Sequence, residues 1–176
     1  MESYVSSTFR TGPIPVFTDS EYAVFLRLPS HKDAFKLLIE SLQGEGCFAK
    51  ITGEVGTGKS MLCRKVLNAL ELHERRYTTA YIPHPILSEE GIMHAIAEEL
   101  NIDREVDISY YDLLKRITEG LIILAEENKN TLLFIDEAQA IPEETLKAIH
   151  LLTQIETAND KPLRVILFGS PNWMNC

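Results

Sequence analysis

The sequence predicts an α/β fold, a mostly parallel β-sheet sandwiched by helices. Three observations carry that prediction. Four short apolar or β-branched runs, at 47–52, 77–82, 131–136 and 163–168, alternate with stretches whose apolar residues recur every three or four positions. Each run is bounded by turn-forming residues, and one such turn, "GEVGTGKS", carries three glycines in six residues. The 176 residues, 45% hydrophobic and 24% charged, suit one globular domain with a sizeable core.

Residues 1–29 read as an extended lead-in, with Ser, Thr, Gly and two early prolines, and 30–176 as the core. Ser30 to Asp33 forms a candidate capping box, and Ala34, Leu37, Leu38 and Leu42 follow at helical spacing. A helix over 30–43 follows, stopped by "QGEG" at 43–46. "CFAKIT" is a strand leading into the glycine turn. Met61, Leu62, Val66, Ala69 and Leu70 make one face of a helix over 58–71. "YTTAYI" is the second strand.

Ser88 caps the next helix, with Glu89 and Glu90 in its first turn, where the helix dipole favours anions. Ile92, Ile96 and Leu100 line its inner side. Ser109 to Asp112 is another capping box, opening a helix to 128 with Leu113, Leu114, Ile117, Leu121 and Leu124 inward. "TLLFID" is apolar almost throughout, as a strand covered on both faces must be. Pro142 begins a helix with Leu146, Ile149, Leu152 and Ile155, and "LRVILF" is the fourth strand. Alternating strands and helices imply right-handed parallel crossovers, which put every strand's C-terminal end on one edge. Ligands bind at that edge.

The net charge of −9 argues against a broad nucleic-acid surface, which needs clustered Lys and Arg. A phosphate site needs only one or two local cations and backbone N–H groups, so the acidic balance leaves it open. The three cysteines, Cys47, Cys63 and Cys176, are odd in number and far apart, which fits reduced thiols. The first residues lack a secretory leader pattern, and no apolar run reaches membrane-spanning length; a cytoplasmic location is expected.

The stretch Gly53, Glu54, Val55, Gly56, Thr57, Gly58, Lys59, Ser60 satisfies the P-loop pattern. Glycines permit backbone turns that point successive N–H groups into a concave anion nest. The helix that follows adds its positive end. Lys59 sets a compact charge against β- and γ-phosphates, and the Ser60 hydroxyl suits Mg²⁺, a hard ion that prefers oxygen. With Met61 next along the helix, 53–61 is the candidate nucleotide-binding segment. Asp136, at the end of the apolar strand, is the second candidate metal ligand. Glu137 beside it is placed to polarise an attacking water as general base. Ser170, after the fourth strand, could sense the γ-phosphate by hydrogen bond or simply form a turn. Gln139 could bond a water or a phosphate oxygen, or be solvated.

"GEVGTGKS", "FIDEAQAIPEETLKAIHLLTQIET" and "VILFGSP" together resemble the general secretion pathway protein A (ExeA-like) AAA+ ATPase family, which includes MSHA pilus biogenesis ATPases. The similarity runs over about residues 17–171. It implies a P-loop NTPase (AAA+) core that binds and hydrolyses ATP with Mg²⁺ and works with secretion or pilus assembly proteins, in a homo-oligomer or at the membrane. It gives Gly53 to Ser60 the Walker A role, Asp136 the Walker B role and Glu137 the catalytic carboxylate. Relatives carry Gln where this chain has Ser170, and they continue into a fifth strand and a helical lid. This chain stops after its fourth predicted strand, so the lid is expected to be absent. A transposition-type AAA+ ATPase acting on DNA, and a nucleotide-binding scaffold with negligible turnover, are the rival readings.

Overall fold

The structure, a computed structural model, describes residues 23–27, 31–42, 47–71, 76–102, 108–157 and 161–171. In chain order the elements are β1 (Ala23–Arg27), α1 (His31–Ser41), β2 (Phe48–Thr52), α2 (Lys59–Glu71) and β3 (Tyr77–Ile82). They continue with α3 (Glu89–Glu99), α4 (Tyr110–Glu126), β4 (Asn130–Ile135), a 3₁₀ turn at Ala138–Ala140, α5 (Glu143–Thr153) and β5 (Leu163–Gly169). The strands form one sheet in the order β1-β2-β5-β4-β3, with every neighbouring pair parallel.

Four of these strands fall where the residue pattern puts them. The fifth is a correction: Ala23–Arg27, assigned from sequence to the lead-in, pairs in parallel with β2, Ala23 opposite Phe48 and Arg27 opposite Thr52. Its five residues, "AVFLR", are too short to show a period, and only the exposed edge of β2 gives them a place in the sheet. Among the described residues the sheet therefore has five strands, the added one from the N-terminal side. Among the remaining differences, β4 closes at Ile135, Pro142 is the N-cap of α5, Ile155 lies past that helix's end, and Met61, read as part of the inner face of α2, is instead exposed. Ser30 and "QGEG" lie outside the described residues, as do Cys176 and the chain before Ala23.

Period-two alternation along the strands divides the core into two layers. Ala49, Ile51, Leu132, Phe134, Ile166 and Phe168 pack under α1 and α2, against Leu38, Leu62, Cys63 and Val66. Phe48, Leu133, Ile135, Val165 and Leu167 face α3, α4 and α5 through Ile92, Ile96, Ile117, Leu121 and Ile149. All seven residues of β5 are buried, as a strand at the centre of a doubly covered sheet requires. Burial of a single Leu or Ile contributes about 1.5–3 kcal/mol, so these two layers hold the sheet rigid beneath its loops. Cys47 and Cys63 are buried and not disulfide-bonded, the place expected of small apolar side chains. Among the described residues no helix is long and apolar enough to cross a membrane.

The order of strands fixes where a ligand can go. The chain leaves β2, crosses to β3 at the far edge, and returns through β4 to β5, which inserts beside β2. Because every pair is parallel, the loop after β2 opens on the same edge as the C-terminal ends of β5, its neighbour, and β4, the next strand along.

Candidate active site

The glycine loop begins at the end of β2. There the N–H of Gly53 donates to Gly169 O at 3.3 Å, fastening the first loop residue to the end of β5. The turn is closed by Glu54, whose carbonyl accepts from Thr57 N–H at 3.2 Å and from Thr57 Oγ1 at 2.8 Å. Gly56 and Gly58 have φ of 83° and 82°, values that a Cβ makes costly. The requirement at Gly56 is conformational and not steric, because a Cβ built there meets nothing within 4 Å.

The first helical hydrogen bond of α2 is Leu62 N–H to Gly58 O, at 2.9 Å. The N–H groups of Lys59, Ser60 and Met61 therefore belong to the first turn, which has no helical acceptors of its own. That turn holds no acidic side chain, and the residue before it, Gly58, has no side chain to act as a cap. Lys59 is buried, 9% exposed, and its Nζ donates to Gly53 O at 2.8 Å and Glu54 O at 2.9 Å. An ammonium has three donors; two rest on the loop and one is left for an anion. Val55 and Met61 flank the loop as exposed apolar side chains.

Asp136 follows β4, the second strand along from β2, so about 10 Å of sheet separates the axes of the two strands. Its carboxylate is buried, 4% exposed, and Oδ1 accepts the N–H of Glu137 at 2.9 Å. The other carboxylate oxygen remains for a cation. Burial pushes the Cys63 thiol above its ordinary range and Asp136 pushes it the same way, as both do for the Tyr81 hydroxyl. Asp136 thus lies near the second turn of α2. Ser60 stands one turn earlier on the same face as Cys63. Among the described residues no group of three or more His, Cys, Asp or Glu comes together. One carboxylate and one hydroxyl fit an octahedral ion that keeps several waters and takes further oxygens from phosphate.

Glu137 has left-handed backbone angles, φ 51° and ψ 40°, uncommon for a residue with a Cβ and costing roughly 1–2 kcal/mol. Two bonds hold it there: its N–H to Asp136 Oδ1, and its carbonyl from Ala140 N–H at 2.8 Å. The result is an exposed Glu137 side chain at the sheet edge beside a buried Asp136. Ser170 follows β5 between the loop and Asp136, and its N–H donates to Gln139 Oε1 at 3.2 Å. Gln139 Nε2 also donates to Glu137 Oε2. The pairing of Gln139 with both residues is not readable from sequence, because Ser170 is 31 positions away and only the β4–β5 pairing brings it close.

A glycine loop opening a helix, a buried Asp on a central strand and a parallel sheet of this order define a P-loop core. The chain belongs to the AAA domain family, whose profile matches residues 43–175. It is 33% identical over 158 residues to General secretion pathway protein A of Aeromonas hydrophila, across 89% of this chain and 28% of that protein. The resemblance read from the motifs is thereby shown, although this chain spans less than a third of that relative's length. Among solved structures it is similar to Cdc6p from Pyrobaculum aerophilum, with a TM-score of 0.62 at 25% identity over 90% of this chain and 43% of that one. It also matches the ORC2 protein of Aeropyrum pernix, described as ADPNP-ADP complexes, with a TM-score of 0.55 at 22% identity over 90% and 45% of the two chains. The second likeness shows the fold alone.

Proposed function

We propose that this chain is the ATP-binding and ATP-hydrolysing core of a secretion or pilus assembly ATPase, whose nucleotide state drives assembly of an envelope complex. The observation that carries the chemistry is the shared edge: an open glycine loop and a buried lysine after β2, and a buried carboxylate with a second, exposed carboxylate after β4, two strands along. The secretion role is supported by the similarity to General secretion pathway protein A. The acidic net charge of −9 favours protein partners over duplex DNA.

In this reading the N–H groups of 56–61 and the ammonium of Lys59 hold the β- and γ-phosphates, and Met61 and Val55 border the bound nucleotide. Mg²⁺, bound by Ser60 and more remotely by Asp136, would supply charge neutralisation on the phosphate oxygens. Glu137 orients a water in line with the γ-phosphorus and accepts its proton. The water oxygen bonds to phosphorus as the bond to the β–γ bridging oxygen breaks, releasing ADP and phosphate. Ser170, between the two halves, donates its hydroxyl to a γ-phosphate oxygen. The site works within a cytoplasmic homo-oligomer.

Glu137→Gln tests the reading. It removes the proton acceptor and preserves the shape, so Mg²⁺-ATP affinity is expected to stay within about twofold while single-turnover cleavage falls roughly a hundredfold or more. Cleavage at the unmodified rate removes Glu137 from the mechanism. Failure of the unmodified protein to bind Mg²⁺-ATP, measured by calorimetry, removes the reading itself.

A further inference from the structure

One peptide unit lies between the two halves of the site. The C=O of Gly169 accepts the N–H of Gly53, the first residue of the glycine loop, at 3.3 Å. The N–H of that same peptide, carried by Ser170, donates to Gln139 Oε1 at 3.2 Å. Gln139 in turn donates through Nε2 to the carboxylate of Glu137. A peptide group is planar and rigid, so its two ends move together. The loop and Glu137 are joined through three consecutive hydrogen bonds and two planar groups, the Gly169–Ser170 peptide and the Gln139 amide.

The chemistry fixes how the Gln139 amide is turned. A carboxylate only accepts and a backbone N–H only donates, so the NH₂ must face Glu137 and the C=O must face Ser170. Glutamine supplies both functions on one side chain; neither glutamate nor lysine does. The surrounding turn is held: Ala138 is buried, and Glu137 is fixed at its N–H by Asp136 Oδ1 and at its carbonyl by Ala140 N–H. The Glu137 side chain itself is exposed and has three torsions, and the bond from Gln139 is what places its carboxylate.

We infer that Gln139 is a positioning residue for hydrolysis: it sets the Glu137 carboxylate relative to the Gly169–Ser170 peptide and so couples the state of the glycine loop to the water-activating group. This rests on the ATPase reading above. Gln139 touches neither phosphate nor water in this role; it acts through Glu137.

The test is a double-mutant cycle in the full-length natural protein, with Mg²⁺-ATP affinity and single-turnover cleavage measured on each variant. Gln139→Ala is expected to slow cleavage about tenfold or more, with affinity within about twofold. Gln139→Glu keeps an acceptor for Ser170 N–H but sets a second carboxylate against Glu137, and is expected to be at least as slow. In a Glu137→Gln background, Gln139→Ala is expected to have no further effect. Cleavage by Gln139→Ala at the unmodified rate, or the same fold loss in both backgrounds, overturns the inference and leaves the ATPase reading intact. Absence of ATP binding in the unmodified protein overturns both. If Gln139→Ala does not fold, Gln139→Glu and its combination with Glu137→Gln decide the matter in the same way.

Discussion

Lys50 and Lys59 stand nine residues apart on either side of one turn, and both are buried, at 7% and 9% exposure. Their surroundings differ. Lys50 lies in β2 opposite Leu167, on the same face as Phe48, and burial lowers its pKa from 10.5 to about 8. Lys59 opens α2, and its ammonium is seated on the carbonyls of Gly53 and Glu54. Burial alone therefore does not fit a lysine for the proposed phosphate contact. What distinguishes Lys59 is that loop carbonyls orient its charge beside a helix terminus with no acid of its own. Lys50, buried within β2, carries a desolvation cost.

The largest effect expected from this contrast belongs to Lys59→Ala. Losing a charge-assisted phosphate contact costs about 3 kcal/mol, which lowers Mg²⁺-ATP affinity roughly a hundredfold. Calorimetric affinity equal to that of the unmodified protein would erase the distinction between the two lysines. Gly56→Ala sharpens the comparison by disturbing the loop that seats Lys59 without touching the lysine. A Cβ there has open space, so the cost is the positive φ, about 1–2 kcal/mol, read as a roughly tenfold loss of affinity. Gly56→Asn should lose less, since Asn tolerates that region better. An unchanged affinity for Gly56→Ala would show that the nest does not need that conformation.

The smallest effect on nucleotide belongs to Lys50→Met, whose affinity should stay within about twofold. Its signature is in the pH dependence of stability. Below about pH 8 Lys50 is charged in both the folded and unfolded chain, and its burial opposes folding. Between about 8 and 10.5 the unfolded chain binds the extra proton, so stability rises with pH, and above 10.5 the gain is complete. Lys50→Met is expected to flatten that rise in denaturant titrations and to stabilise the fold at neutral pH by about 1–2 kcal/mol. A rise of the same size in the variant would assign it to another group.

The glycine loop was legible because its task is local. Positive φ at Gly56 and Gly58 and a helix starting at Lys59 are set by residues within one turn of chain. The capped helices were legible for the same reason: Ser88 accepts from Gly91 N–H and Ser109 from Asp112 N–H, both at 3.1 Å and both three residues apart. Asp136 and Glu137 were readable as a pair, but not their division of labour, one buried and the other exposed in a left-handed turn. That division depends on packing at the end of β4. β1 is not legible in the sequence because five residues carry too little pattern to separate strand from lead-in.

From the sequence alone came the α/β class, the glycine loop, the two carboxylates and the family resemblance, because each is carried by neighbouring residues whose sterics and hydrogen bonding act over a few positions. The strand order, the place of β1 at the edge of β2, and the peptide that joins Gly53 to Gln139 were decided only in the tertiary structure. Such contacts join residues up to a hundred or more positions apart, and only burial of both sheet faces brings them into register.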